Sequence, residues 1–199
     1  MLDLGAGTGK LTRVLAARYP RVVAVEPLAE LREILTARVP EAETLAGAAE
    51  RIPLGDGEVD AVFAGQAFHW FANDEALREI ARVLRPGGVL ALLWNHALDP
   101  TPLPADYAAR ISELHDERRP AAADEDVLER SGLFAEVTET FVDHEQVSDR
   151  DGALAFAASV SWIAIRDDRD QVLAELAAML PEAEYRFRLR ADVTWTTRL

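Results

Sequence analysis

No cysteine occurs in the 199 residues, and that absence excludes disulfides, thiolate-bound zinc and every mechanism built on a cysteine nucleophile. A reducing, cytoplasmic setting is the expectation that follows. Long apolar runs are also missing: none approaches the roughly 18 residues of a membrane-spanning helix. The opening has neither the basic segment nor the sustained apolar segment of a secretory signal, because Gly5 interrupts it. No membrane partner is expected. Positive charge is scarce, with 21 Lys and Arg against 35 Asp and Glu and a formal net charge of -14. The shortage is concentrated in residues 97–199, which hold 11 basic and 22 acidic side chains. Phosphate backbones are bound chiefly through clustered Lys and Arg, so the balance argues against a nucleic-acid substrate. Internal repeats and low-complexity segments are absent as well.

What is present has the composition of a folded domain: 49% apolar and 28% charged residues, over a length that supports one core and falls short of two ordinary domains. A single domain over residues 1–199 is expected. Met1 to Leu4 forms an apolar strand, followed by a glycine turn and by Leu11, Val14 and Leu15 on one helix face. "RVVAVEP" predicts a second strand, and Leu28, Leu31, Ile34 and Leu35 a second helix. "AETLAG" and "VDAVFAG" are the third and fourth strands, "DEALREIARVLRPGG" a helix capped at Asp74 and stopped by Pro-Gly-Gly, and "VLALLWN" the fifth strand. Val-, Leu- and Ala-rich strands alternating with helices predict an α/β fold, doubly wound around a mostly parallel sheet with both faces covered.

"LDPTPLPAD", with three alternating prolines, is the one linker and separates residues 1–96 from 105–199. Beyond it the pattern predicts a helix near Tyr107 to Glu117, the acidic turn "AAADED", a short helix ending at Gly132 and the strand "AEVTETFV". Helices around "GALAFAASV" and "QVLAELAAML" come next, then two strands of the antiparallel, one-face-wet kind, "YRFRLR" and "VTWTT".

Gly5, Gly7 and Gly9 lie where a strand must turn sharply into a helix while a ligand approaches the backbone. The helix start behind them offers N–H groups to a polar or anionic ligand. Glu26 ends the second strand, seventeen residues after Gly9, where a carboxylate can accept hydrogen bonds from two vicinal ribose hydroxyls. Together these features point to a nucleoside-containing cofactor. The strict dinucleotide fingerprint G-x-G-x-x-G needs glycine at position 10, which is Lys10. The pattern present is Asp-x-Gly-x-Gly-x-Gly, beginning at Asp3.

"LDLGAGTGKLT" resembles the first motif of class I S-adenosylmethionine-dependent methyltransferases. "VVAVEP" is similar to their second motif, "GAAERIPLGDGEVDAVFAGQAFHWF" to their adenine-side loop and fourth strand, and "ARVLRPGGVLALLWN" to the helix and strand that follow. The "AFHWF" wording is closest to the small-molecule branch that includes trans-aconitate methyltransferase-like proteins. The resemblance covers residues 1–96, which it makes the cofactor-binding half; residues 105–199 would complete the sheet and the acceptor site. It implies S-adenosylmethionine as cofactor, with Gly5, Gly7 and Gly9 against its methionine part, Asp3 near the amino group and Glu26 on the ribose. Ala49 and Glu50 would flank the adenine, and Gln66 the sulfonium side. One position departs from the family's pattern: an Asp often precedes the Ala-Glu pair, and here it is Ala48. Family members also usually have a helix ahead of the first strand, whereas this strand starts at Met1; either the natural start lies upstream or the chain is a short form with a more exposed cofactor.

Methyl transfer asks the protein mainly to align donor and acceptor. A carboxylate acceptor needs no base, whereas a hydroxyl or ammonium must lose a proton to a group such as His69. No catalytic base is assigned on these grounds. His69 and Trp70 are the expected substrate-adjacent residues, because "GQAFHWF" stands beyond the carboxyl end of strand four; the alternative makes Phe68, Trp70 and Phe71 core and His69 a hydrogen-bonded bystander. Arg166 and Arg169 are weighed as contacts for an anionic acceptor, against the plainer pairing of surface arginines with neighbouring aspartates. Asp56, Asp60 and Asp74 are better explained as loop, strand start and cap than as a magnesium site, and His69, His96, His115 and His144 lack metal-ligand spacing. No metal is expected. The Asn/Asp-Pro-Pro-aromatic motif of base-amino methyltransferases is absent, and cytosine-carbon methylation would need a cysteine. The expected function is methyl transfer to a small organic acceptor, a carboxylate or hydroxyl, by a chain that could form a homodimer. A nicotinamide-dependent oxidoreductase and a non-catalytic cofactor-binding protein of the same fold are the alternatives.

Overall fold

The opening apolar run becomes β1 (Leu2–Leu4), every residue of which is buried. It lies mid-sheet, flanked in parallel by β2 (Val23–Glu26) and β4 (Val59–Gly65), with Leu2 opposite Val23 on one side and Val62 on the other. A strand between two neighbours and under helices has no wet face, which is why it reads as a continuous apolar run. The computed structural model describes residues 1–99, 101–116 and 127–199. β3 (Glu43–Ala46) pairs in parallel with β2, and β5 (Leu84–Ala97) in parallel with β4. With β6 (Thr138–Ser148) and β7 (Tyr185–Thr197) the sheet has the order β3-β2-β1-β4-β5-β7-β6, mostly parallel with antiparallel C-terminal strands. This is the expected doubly wound α/β fold.

The chain forms two compact units. The first holds Met1–Trp94, the described residues up to Phe141 and Asp192–Leu199. Its helices are α1 (Lys10–Ala16), α2 (Ala29–Arg38), α3 (Asp74–Val83) and α5 (Val127–Ser131). Strand alternation sorts its core: Val23 and Val25 join Leu2, Leu4 and Val62 on one sheet face, while Ala24 joins Leu35 and Val39 of the α2 side on the other. On α3, Leu77, Ile80 and Val83 recur at threefold spacing and are fully buried, which places them on one face. Each side chain of this kind contributes about 1.5–3 kcal/mol by leaving water.

The second unit comprises the described residues from Asn95 to 116 together with Val142–Ala191. It carries α4 (Ala105–Asp116), α6 (Arg150–Ala158), α7 (Ser161–Ala164) and α8 (Arg169–Met179), around a core that includes Tyr107, Leu114, Ile163, Val172 and Leu176. Arg150 closes the end of α8, donating from Nε to the Leu180 carbonyl and from Nη2 to that of Ala177, both at 2.8 Å. The acidic turn "AAADED" and Glu117 lie outside the described residues.

Three expectations change. Pro-Gly-Gly does not close α3, which ends at Val83, because β5 starts at Leu84 and takes in Pro86, Gly87 and Gly88. Helix α3 is capped by Asn73, not Asp74: its Oδ1 accepts from the N–H groups of Glu75 and Ala76 at 3.1 and 2.9 Å, leaving Asp74 as the first helical residue. The two final strands are one, β7, because "RADV" offers neither Gly nor Pro to turn the chain. Its alternate arginines each meet an acid: Arg186 with Glu145 at 3.0 Å, Arg188 with Asp99 at 3.1 Å and Arg190 with Asp143 at 2.7 Å.

Candidate functional site

The chain leaves β1 by a bend in which Gly5 and Ala6 both donate to the Val25 carbonyl, at 2.9 and 3.2 Å. Gly5, Gly7 and Gly9 have φ of 70°, 56° and 84°, a region that other residues enter only at a cost. Their surroundings differ. A Cβ on Gly5 would stand 2.8 Å from Ala67 Cβ, and one on Gly9 2.5 Å from Leu35 Cδ1, whereas one on Gly7 would meet nothing within 4 Å. Packing therefore demands two of the glycines, and the third borders open space.

Glu26, at the end of β2, is tied to that open glycine. It is 4% exposed; Oε2 accepts from Gly7 N at 2.9 Å and Oε1 from Leu28 N at 3.0 Å. A carboxylate has about four acceptor positions, so capacity for two further donors is left. A pair of vicinal hydroxyls supplies two.

Asp3 is 1% exposed, and its Oδ2 accepts from Thr12 Oγ1 at 2.6 Å, which joins β1 to α1 beneath the loop. Burial pushes its pKa up to about 7, against the lowering effect of the Thr12 hydrogen bonds and with a smaller upward push from Glu26. The carboxyl is enclosed, so any influence on a ligand passes through the loop and through its charge.

After β3, Ala49 is buried, and Glu50 accepts from Asn73 Nδ2 at 2.9 Å, the same side chain that caps α3. Further along, Glu79 accepts from Ile52 N at 2.9 Å, and Arg82 donates to the carbonyls of Ile52 and Leu54 at 3.0 and 2.8 Å. Helix α3 thus clamps the stretch after β3 at three points. Sequence reasoning missed this; the spacing of Glu79 and Arg82 at i and i+3 was its only trace.

At the end of β4, Gln66 has φ of 56°, the one positive value among described non-glycine residues. Its side chain is exposed and its N–H donates to the Leu93 carbonyl at 2.9 Å. Strained backbone of this kind often marks a functional position. The next residues divide. Ala67, Phe68 and Phe71 enter the core, with the two rings edge to face at 5.7 Å. His69 and Trp70 do not, since Trp70 is 51% exposed and the His69 ring lies 5.2 Å from the Trp70 ring and 5.4 Å from that of Trp94. In the second unit Arg166 pairs with Asp168 at 2.6 Å and Arg169 with Asp170 at 3.2 Å, each a near neighbour in sequence. Among the described residues no group of three His, Asp or Glu is placed to hold a metal ion, and no helix is long and apolar enough to cross a membrane.

Residues 2–92 match the family described as "Methyltransferase domain". An uncharacterized methyltransferase of Mycobacterium tuberculosis is 55% identical over 95 residues, 48% of this chain and 39% of that protein. A malonyl-[acyl-carrier protein] O-methyltransferase of Methylococcus capsulatus is 41% identical over 97 residues, 46% of this chain and 35% of that protein. The chain therefore spans about two fifths of the length of these curated relatives. Among solved structures, the YcgJ protein of Bacillus subtilis matches with a TM-score of 0.59 at 19% identity, over 98% of this chain and 90% of its own. The geranyl diphosphate C-methyltransferase of Streptomyces coelicolor, solved with S-adenosyl-L-homocysteine, matches at 0.55 and 15% identity, over 100% and 71%. Residues 2–92 are thus similar to methyltransferase domains, and the solved structures share the doubly wound fold of the sheet. These likenesses support the class and not the trans-aconitate branch.

Proposed function

We propose that the protein transfers a methyl group from S-adenosylmethionine to a small organic acceptor carrying a carboxylate or a hydroxyl. The observation that carries this reading is the pairing of Glu26 with Gly7: a buried carboxylate with two acceptor positions spare, bound to the one glycine of the loop whose Cβ position is open. Glu26 would take the ribose hydroxyls, and Gly7 would let the methionine part approach the backbone, in a turn that Gly5 and Gly9 make possible. Asp3 would hold the loop against α1 through Thr12. Ala49 and Glu50 would border the adenine, with Asn73 fixing Glu50. Gln66, His69 and Trp70 would line the acceptor side.

When bound, the cofactor supplies an electrophilic methyl group on a sulfonium, which passes to an acceptor lone pair as the sulfur leaves as a thioether. The chain's own task is to hold donor and acceptor in line and keep water out; orientation of this kind supplies about 7–11 kcal/mol. The relative that acts on a malonyl group bound to acyl-carrier protein supports a carboxyl acceptor, as does the wording of the "AFHWF" segment.

Calorimetric titration with S-adenosylhomocysteine and, separately, NAD tests the reading. Saturable one-to-one binding of the first and none of the second is expected; preference for NAD would favour an oxidoreductase and end it. Incubation with methyl-labelled cofactor and a panel of carboxylic acids and alcohols should then yield labelled esters or ethers. Binding without any labelled product would favour a non-catalytic role.

A further inference from the structure

We propose that Glu79 and Arg82 are positioning residues for the adenine end of the cofactor: by fixing both peptide planes that flank Ile52, they set the turn that presents Ala49 and Glu50 to the base. This rests on the methyl-transfer reading and on its placing of the adenine at that turn.

The turn needs an external hold. Residues 47–58 join β3 to β4 outside either strand. Ala48 and Arg51 meet there in an isolated antiparallel bridge, with Arg51 N donating to the Ala48 carbonyl at 3.1 Å. Ala49 and Glu50 are the two residues enclosed. That bond closes the turn but does not orient it.

Helix α3 supplies the orientation. Glu79 Oε2 accepts from Ile52 N at 2.9 Å, and Arg82 Nη2 donates to the Ile52 carbonyl at 3.0 Å. The N–H and C=O of one residue belong to successive peptide planes, so both planes are held, and the first of them is the Arg51–Ile52 plane that ends the turn. Glu79 and Arg82 are locked to each other at 2.7 and 2.8 Å, and Arg82 Nη1 reaches on to the Leu54 carbonyl and Asp56 Oδ1, both at 2.8 Å. A guanidinium presents its donors in a rigid planar fork, which sets the carbonyls of Ile52 and Leu54 relative to one another as well as to the helix. At the start of α3, Asn73 holds Glu50. The turn is therefore tied to one helix on both sides.

Stability alone would not call for this. Arg51, Pro53 and Asp56 are exposed, so a relaxed stretch could turn carbonyls to water, and Ile52 is anchored in the core by its own side chain. Exchanging water for a protein partner gains only about 0.5–3 kcal/mol per hydrogen bond. A fork that leaves neighbouring carbonyls no freedom fits a surface whose shape matters, because a misplacement of about 1 Å at a site can cost on the order of 100-fold in rate. The hold is also local. Glu26 binds Gly7 and Leu28, a set that shares no residue with the clamp, so the sugar and methionine ends of the cofactor would rest on bonds the clamp does not include.

The test titrates the full chain by calorimetry with S-adenosylhomocysteine and with S-ribosylhomocysteine, the same molecule with a hydroxyl in place of adenine. The unmodified protein should bind the first at least tenfold tighter. Arg82→Met and Arg82→Lys, the second of which keeps the charge and loses the fork, should each weaken S-adenosylhomocysteine fivefold or more while leaving S-ribosylhomocysteine within twofold. Glu79→Gln retains an oxygen for Ile52 N and should lose less than Arg82→Met. Equal affinity for the two ligands in the unmodified protein, unchanged S-adenosylhomocysteine affinity in either Arg82 variant, or a parallel fall for both ligands would overturn the proposal, and the first of these requires no variant to fold. Failure of S-adenosylhomocysteine to bind the unmodified protein is a separate outcome that removes the underlying reading and the proposal with it.

Discussion

Replacing Asp3 by Asn should make the stability difference between the two proteins depend on pH in a fixed direction. The carboxyl is 1% exposed, and burial lifts its pKa from 3.8 to about 7. Between those values the folded protein holds a proton that the unfolded chain has released, so folding is favoured by the acid form and loses that contribution as pH rises through about 7. Each tenfold change in proton affinity between the two states is worth roughly 1.4 kcal/mol, so the loss between pH 5 and pH 8 is about 3 kcal/mol. Asn has the same shape, keeps an oxygen to accept from Thr12 and does not titrate. Urea unfolding of both proteins at pH 5, 6, 7 and 8 isolates the effect, because every other group titrates alike in the two and cancels in the difference. The variant should gain on the native protein by about 3 kcal/mol across that range. A difference that is flat with pH, or that runs the other way, would refute the assignment of a buried, protonated Asp3.

The other substitutions separate packing from binding. Gly9→Ala drives a methyl to 2.5 Å from Leu35 Cδ1 at a φ of 84° and should cost about 2–3 kcal/mol in urea unfolding. Gly7→Ala meets nothing within 4 Å, so it should cost only about 1 kcal/mol of backbone strain while weakening S-adenosylhomocysteine binding at least tenfold by calorimetry. Glu26→Gln sets an amide NH2 against the N–H of Gly7 or Leu28 and removes a ribose acceptor; a fall in affinity of at least tenfold is expected, and unchanged binding would contradict the assigned role. Asn73→Ala removes the cap of α3 and the hold on Glu50, and should lower the unfolding free energy by about 1 kcal/mol.

The parts legible in the sequence were those where one local cause decides the outcome. β1, β2 and most of β4 are buried, so their apolar runs stand out, and positive-φ turns leave their mark as glycine. The position of Glu26 at the end of such a strand was legible for the same reason. What escaped depends on partners distant in sequence. Either Asn73 or Asp74 could cap α3, and the structure selects Asn73, whose amide also reaches Glu50, 23 residues earlier. The clamp from Glu79 and Arg82 to Ile52 and Leu54 is invisible without the fold, since each of those side chains taken alone is an ordinary helix-surface charge. β7 was expected as two strands because its apolar pattern weakens in the middle, yet weak patterning without a turn residue does not end a strand.

The three glycines carry the last step. In the sequence they are equivalent, alternating at positions 5, 7 and 9, and any one of them could belong to the ligand or to the scaffold. The structure makes them unequal: Gly5 is held by Ala67 and Phe71, Gly9 by Leu35 and Val39, and only Gly7 borders open space. Gly7 is also the one whose N–H engages Glu26. A scaffold that required glycine for packing alone would need no buried carboxylate fixed to the open member of the three, because enclosing an acid is costly unless its hydrogen bonds are provided for. Two backbone donors meet half of that need, and one of them is the open glycine's own amide. That pairing of an unfilled approach with an under-used acceptor is the feature of the glycine motif that the proposed hydroxyl-bearing ligand would use, and a tight turn by itself would not need it.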